Sequence, residues 1–371
     1  MSAEVDIVII GSGVVGLAIA SELAQDGRNV FVFEKNRTYG LETSSRNSQV
    51  IHGGLYYPEN SFKAKLCVEG NRQLYSLCER TGIRCQKTGK VIIATSDEEI
   101  PALEKLYDQG KRNGVPLKRL TAKEIKALEP AVEGISGLFS ASTGIIDNYS
   151  LMGFFLIQAR QRGAEFLFNH EVTGIEHGIA GYKIYVKSEQ EISALAAKVI
   201  INCAGLDAEN VAKLAGIDTS KSGYRLHYCK GDYFYLNRRH RFEHLVYPVP
   251  EEAGLGIHVT PDIEGNIRLG PNVQYIEKIN YEVDESHREP FYQAVKMFVP
   301  GLQLEDLEPD FAGVRPKLQG PGEGLRDFVI SHETRLGLPG LINLIGIESP
   351  GLTASPAIAR YVAEMVREIL S

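Results

Sequence analysis

Several things are missing from this 371-residue chain, and each absence narrows what it can be. It contains no tryptophan, and its five cysteines (Cys67, Cys78, Cys85, Cys203 and Cys229) include no CxxC pair. They therefore read as reduced, mostly buried thiols of a cytoplasmic protein. An excess of positive charge is also absent: 40 Lys and Arg stand against 47 Asp and Glu, a net charge of −7. That balance argues against a nucleic-acid partner. No apolar run reaches the roughly 18 residues that span a bilayer. The opening "MSAEVDIVII" carries acids where a secretory signal would carry bases. Peripheral contact with the inner face of a membrane is left open. There is no internal repeat and no low-complexity tract. With 43% hydrophobic and 23% charged residues, the composition is that of an ordinary globular protein. Its length allows two cores or one large interleaved core.

What is present starts with "VDIVII" at 5–10, an apolar strand pattern followed by "GSGVVG" at 11–16. A helix pattern, "LAIASELAQDG", and a second strand, "NVFVFEK", complete a strand–turn–helix–strand unit. Gly11 permits the tight turn, Gly13 lets backbone approach a pyrophosphate, and Gly16 lets helix and strand pack closely. Val14 and Val15 begin the helix, whose free N–H groups and positive potential suit phosphates. Glu34, 18 residues past Gly16, is placed to bind an adenosine ribose, with Lys35 beside it. A glycine motif by itself is weak, but the full context is present here and predicts a dinucleotide site. A carboxylate at the ribose position favours an unphosphorylated ribose.

A nicotinamide domain would continue with strand–helix alternation. This chain instead enters "SSRNSQVIHGGLYY" at 44–57. Sheet-like material resumes with the helix pattern "NYSLMGFFLIQARQRG", the strand "AEFLFN" and the strand "AKVIINCAG". The last forty or so residues add the strand "LINLIGI" and a helix from about Thr353 to Ile369. The expected fold is thus α/β, with a discontinuous Rossmann-like FAD-binding domain from 1–55, 145–215 and 326–371. The remainder, 56–144 and 216–325, is expected to form a mixed α+β substrate or cap domain. Its first part reads as largely helical, with a capping box from Thr121 to Glu124. Its second part, including "RLHYCKGDYFYL", "HLVYPVP", "GIHVT" and "NIRLG", reads as an antiparallel sheet.

The segments "GSGVVG", "NSQVIHGGLYYPENSFKAKLC", "STGIIDNYSL", "KGDYFYL", "LVYPVPEEAGLGIHVT", "LGPN" and "AGVRPK" together resemble the FAD-dependent L-2-hydroxyglutarate dehydrogenases and oxidases. These are D-amino-acid-oxidase-like flavoproteins, and the resemblance covers nearly the whole chain. It implies oxidation of a small dicarboxylic L-2-hydroxy acid by hydride transfer to flavin, with L-2-hydroxyglutarate as the expected substrate. Two segments depart from the family pattern: Ser44-Ser45-Arg46-Asn47-Ser48, where Thr-Gly-His-Asn-Ser is usual, and "GIESPGLTASPAIA" near the end. "TSSR" and "IHGGL" are also similar to FAD-dependent glycerol-3-phosphate dehydrogenases.

Given this resemblance, the 44–57 loop is expected to run along the cofactor. Ser44, Ser45, Arg46 and Asn47 would contact the pyrophosphate and ribityl region, and Gly53 and Gly54 would make room for the ring. Val172, Ala204 and Gly205 are further cofactor candidates. Gly351, Leu352 and Thr353 begin the last helix, whose N–H groups would stabilise an anionic reduced flavin; Thr353 also reads as that helix's cap. The catalytic candidates are Arg315, clamping a carboxylate bidentately, Lys230, meeting a second carboxylate, and His258, His52 and Tyr57. Of the two histidines, His258 is preferred as the base, because a residue on the covering sheet can face the substrate hydroxyl. Rival readings are an amine or amino-acid oxidase, a glycerol-3-phosphate dehydrogenase, and a non-catalytic dinucleotide-binding regulator. The electron acceptor is open among oxygen, quinone and a carrier protein.

Overall fold

The computed structural model describes residues 4–24, 27–179, 181–189, 191–237, 241–250 and 256–371. Five residues of the segment "LVYPVPEEAGLGIHVT", 251–255, therefore lie outside the described residues. The chain divides into two compact units, one built from 1–45, 148–228 and 315–371, the other from 46–147 and 229–314.

The first unit is organised around the strand Glu4–Ile10, whose "VDIVII" core is buried almost throughout. It pairs in parallel with Val30–Glu34 on one side and with Ile192–Asn202 on the other. Val30–Glu34 pairs in parallel with Glu165–Phe168. Besides Glu4–Ile10, the long strand Ile192–Asn202 serves two more partners along its length: its first half joins an antiparallel hairpin, and its last residues run parallel to Leu341–Ile345. That hairpin, Glu171–Gly178 with Gly181–Lys187, is not among the sequence expectations. Its signal is the alternation of buried Tyr182, Ile184 and Val186 with more exposed neighbours, the period of a half-buried strand.

The helix Val14–Leu23 packs against Asn148–Gln161 and against the final helix Gly351–Ile369. The expected core face of Asn148–Gln161 (Met152, Phe155, Leu156, Ala159) is buried. In the final helix Ile358, Val362 and Val366 are buried, while Met365 and Ile369 are only partly so. That helix starts at Gly351, with Pro350 at its N-cap and no side chain capping it. Thr353 is consequently inside the first turn and is not the cap.

The second unit carries a mixed sheet in the order Gln274–Ile276, His227–Leu236, Ile267–Leu269, Val259–Pro261, Leu245–Pro248, Lys90–Ala94, Ser136–Ser140 and Leu117–Thr121. Here the largely helical reading of 56–144 is corrected. Helices Phe62–Thr81, Ile100–Arg112 and Ala122–Leu128 are present, and the Thr121–Glu124 capping box is formed. Between and after them, however, run the strands Lys90–Ala94, Leu117–Thr121, Ser136–Ser140 and Gly144–Ile146. Every residue of Lys90–Ala94 is buried, and a central strand covered on both faces lacks the alternation that betrays a surface strand. The sheet is also not purely antiparallel, because Lys90–Ala94 and Leu245–Pro248 run parallel.

Candidate active site

In the first unit, the ends of the strands Glu4–Ile10, Val30–Glu34 and Ile192–Asn202 border a cavity of about 380 Å³. Gly11, Gly13, Glu34, Lys35, Ser44, Val172, Ala204 and Gly205 all line it, so eight of the expected cofactor residues are brought together. Gly11 has φ +99°, and a Cβ there would stand 2.5 Å from the Cys203 carbonyl oxygen. At Gly16 a Cβ would stand 2.1 Å from the Gly11 oxygen, so only glycine lets the helix seat on its own turn. This is the close helix–turn packing that a pyrophosphate-binding loop requires.

Glu34 is buried and heavily used. Its Oε2 accepts from the Ser12 N–H and hydroxyl, both at 2.9 Å, and its Oε1 accepts from the N–H (2.9 Å) and side-chain amide (2.8 Å) of Asn36. A carboxylate offers about four lone-pair positions. A ribose hydroxyl bound there would have to take over one of these bonds, and the Ser12 hydroxyl is the freest to rotate away. Lys35 pairs with Asp207 and, at 3.0 Å, with Glu42. Those carboxylates raise its pKa, so it stays charged and satisfied at the cavity edge.

The Ser44 hydroxyl accepts from the Val14 N–H at 2.9 Å, capping the helix from a distant loop. Asn148 in turn donates to the Ser44 carbonyl at 2.8 Å and holds that loop in place. The Ser45 hydroxyl donates to the Glu42 carbonyl at 3.1 Å. Among the first-turn candidates of the last helix, Gly351 and Thr353 are buried and Leu352 is partly exposed. Arg315 lies two residues before Lys317 on the strand Leu307–Lys317, hence on the same face. Lys317 pairs at 3.1 Å with Glu348, in the turn that leads into the final helix.

The second unit holds the remaining candidates. Arg46 lays its guanidinium over the Tyr281 ring at 4.3 Å, and its Nε is buried without a hydrogen-bond partner. Such an orphaned donor is suited to donating to a ligand's oxygen. The Asn47 side chain accepts from the Gln49 N–H at 2.8 Å and shapes a turn. Gly53 and Gly54 are required by protein neighbours: a Cβ would stand 3.0 Å from the hydroxyls of Ser140 and Ser142 at Gly53, and 2.7 Å from Val68 at Gly54. Tyr57 is buried in a small cluster with Ala64 and Cys67. Lys230 is buried, pairs with Asp232 at 3.2 Å and donates to the Glu282 carbonyl, so its charge is engaged internally.

His52 is positioned by its backbone: its carbonyl accepts from the Asn71 amide at 2.9 Å, which ties the end of the strand Val50–Ile51 to the helix Phe62–Thr81. Desolvation first, and then the charge of Lys90, lower its pKa to about 3, so the imidazole is neutral. His258 is 6% exposed and lies flat on the Tyr247 ring, with centroids 3.4 Å apart and planes 10° apart. Lys90, Tyr56 and Tyr247, which accompany these histidines, are absent from the sequence expectations. The available signal was a lysine heading the wholly apolar run "KVIIA".

A parallel sheet with a glycine turn, a carboxylate ending the second strand and a cavity between strand ends defines a dinucleotide-binding protein. More particularly, the FAD dependent oxidoreductase (DAO) family model matches residues 6–365, and the chain belongs to that family. It is an enzyme that uses FAD. It is 40% identical to the mitochondrial L-2-hydroxyglutarate dehydrogenase of Arabidopsis thaliana, over 97% of this chain and 83% of the plant protein. The glycerol 3-phosphate dehydrogenase of Caloramator mitchellensis is 30% identical over 98% of this chain and 74% of its own. Among solved structures, the FAD-bound L-alpha-glycerophosphate oxidase of Mycoplasma pneumoniae superposes with a TM-score of 0.88 at 28% identity, covering 98% of this chain and 95% of its own. Among the described residues, no helix is long and apolar enough to cross a membrane.

Proposed function

We propose that the protein oxidises L-2-hydroxyglutarate to 2-oxoglutarate. The observation that carries this reading is the 40% identity, over nearly the whole chain, to the plant L-2-hydroxyglutarate dehydrogenase. Bound FAD supplies the two-electron acceptor for the hydride that leaves C2. Gly11, Gly13, Glu34, Ser44, Ala204 and Gly205 would hold its adenosine and pyrophosphate portion.

Arg315 holds the C1 carboxylate of the substrate, because its planar fork matches a carboxylate bidentately. His52 takes the hydroxyl proton. A base must be both neutral and reachable. His52 is neutral and partly exposed, whereas His258 is covered by Tyr247 and nearly buried, so the preference passes from His258 to His52. Lys230, already engaged by Asp232, is not assigned to the second carboxylate.

Glycerol-3-phosphate is the second reading, favoured by the likeness to the Mycoplasma pneumoniae oxidase. A phosphate dianion calls for a cluster of cations, and Lys230, one of the two that could join it, is held by Asp232. Anaerobic mixing decides between the two. L-2-hydroxyglutarate should bleach the flavin absorbance, with glycerol-3-phosphate and amino acids leaving it oxidised. Bleaching by glycerol-3-phosphate alone would overturn the assignment.

A further inference from the structure

Lys90 is 0% exposed, and among the described residues its Nζ has no hydrogen-bond partner. It lies 4.3 Å from the centroids of two rings, Tyr56 and Tyr247. Tyr247 in turn stacks with His258. The strands on either side of Lys90 place Ser140 and Leu245 at its register positions, neither of which titrates near neutrality. The titratable groups that act on Lys90 or surround it are Tyr56, Tyr247, Cys67 and His52. Burial pushes both phenols and the thiol up and the imidazole down, so all four are neutral around pH 7. A buried ammonium without a hydrogen-bond partner recovers only part of its lost hydration from ring faces. Its charge is therefore marginal. Gly53, which follows His52, lies against Ser140, the register partner of Lys90, and the charge of Lys90 acts on the His52 imidazole.

We propose that Lys90 is a positioning residue for the proton transfer at His52: charged, it opposes a second positive charge there and withholds the base, and neutral, it releases the base. The inference rests on the role given to His52 above. In the step itself, one proton passes from the C2 hydroxyl to the His52 imidazole, and no bond changes at Lys90. Burial holds the ammonium pKa at about 7, which puts the changeover in the physiological range.

The test pairs a rate with a titration that needs no turnover. Flavin reduction by L-2-hydroxyglutarate is followed by rapid mixing between about pH 5.5 and 9, and the His52 imidazole is titrated by NMR in the substrate-free holoenzyme. The wild-type rate should rise about tenfold or more through a limb near pH 7, as expected when a base is released. Lys90→Met, a neutral side chain that suits a gap between rings, should lose that limb and remain fast at low pH. In it the His52 imidazole should protonate at a higher pH than in the wild type. Lys90→Arg, permanently charged, should be slow throughout and serves alone if the Met variant does not fold. A Met variant that keeps the wild-type limb, an unmoved His52, or an Arg variant with the wild-type profile each overturns the proposal. A wild type that L-2-hydroxyglutarate fails to bleach counts against the substrate assignment alone, because the NMR titration still decides the role of Lys90.

Discussion

Glu34 has the position of a ribose ligand, yet both of its oxygens already accept bonds from Ser12 and Asn36. Replacing it with glutamine would set amide hydrogens against those donors. Glu34→Gln should lower stability by about 1–3 kcal/mol and release FAD more readily, measured by thermal melts and flavin absorbance after dialysis. In its proposed role Arg315 would act by its shape as well as by its charge. Arg315→Lys should lower kcat/KM by about ten- to a thousandfold, mainly through KM, with FAD content retained. Normal substrate binding in that variant would make Arg315 structural. The two histidines separate by rapid mixing: His52→Asn should slow flavin reduction by about 10²–10⁴-fold, with His258→Asn affected less. The reverse order would restore His258 as the base. Both histidines and the arginine were legible in the sequence as chemical types. Their order of preference was not, because the stacking of His258 on Tyr247 joins two strands that only the folded sheet brings together.

The first helix shows how one element can depend on a distant one. Its N-terminal Val14 N–H is satisfied by Ser44, and Ser44 is itself held by Asn148 at the start of another helix. Ser44→Ala should cost about 1 kcal/mol, the usual loss for a missing N-terminal acceptor, and should weaken FAD retention. The final helix packs on the same partner, with Ile358 fully buried. Ile358→Ala should cost about 2–5 kcal/mol in a denaturant titration. The glycine turn, both its strands and these helices were readable because strong local patterns agree with their burial. The strand Lys90–Ala94 and the hairpin 171–187 were not foreseen: one is buried on every residue, and the other is a short alternation broken by glycines.

Across the whole molecule, stability should carry the mark of a buried, unpaired lysine. The folded-state pKa of Lys90 lies below its ordinary 10.5, at about 7, because burial disfavours the ammonium. The unfolded chain therefore binds the proton more tightly. The penalty is complete below about pH 7 and fades as pH rises toward 10.5. Lys90→Met should accordingly be more stable than the wild type by up to about 5 kcal/mol at low pH, with the advantage shrinking in alkali. Melts of both proteins across that range check the sign, and a constant difference would reject it. By itself the sequence determined the nucleotide-binding unit, written in local patterns of glycines and apolar periods, and its family resemblance pointed to flavin chemistry and to the candidate groups. Only the tertiary structure decided which groups have spare capacity. Glu34, Lys230 and Lys90 look alike in a sequence as charged residues near motifs. Hydrogen-bond saturation, ion pairing and burial without a partner are properties of neighbours that arrive from distant segments, and no local pattern encodes them.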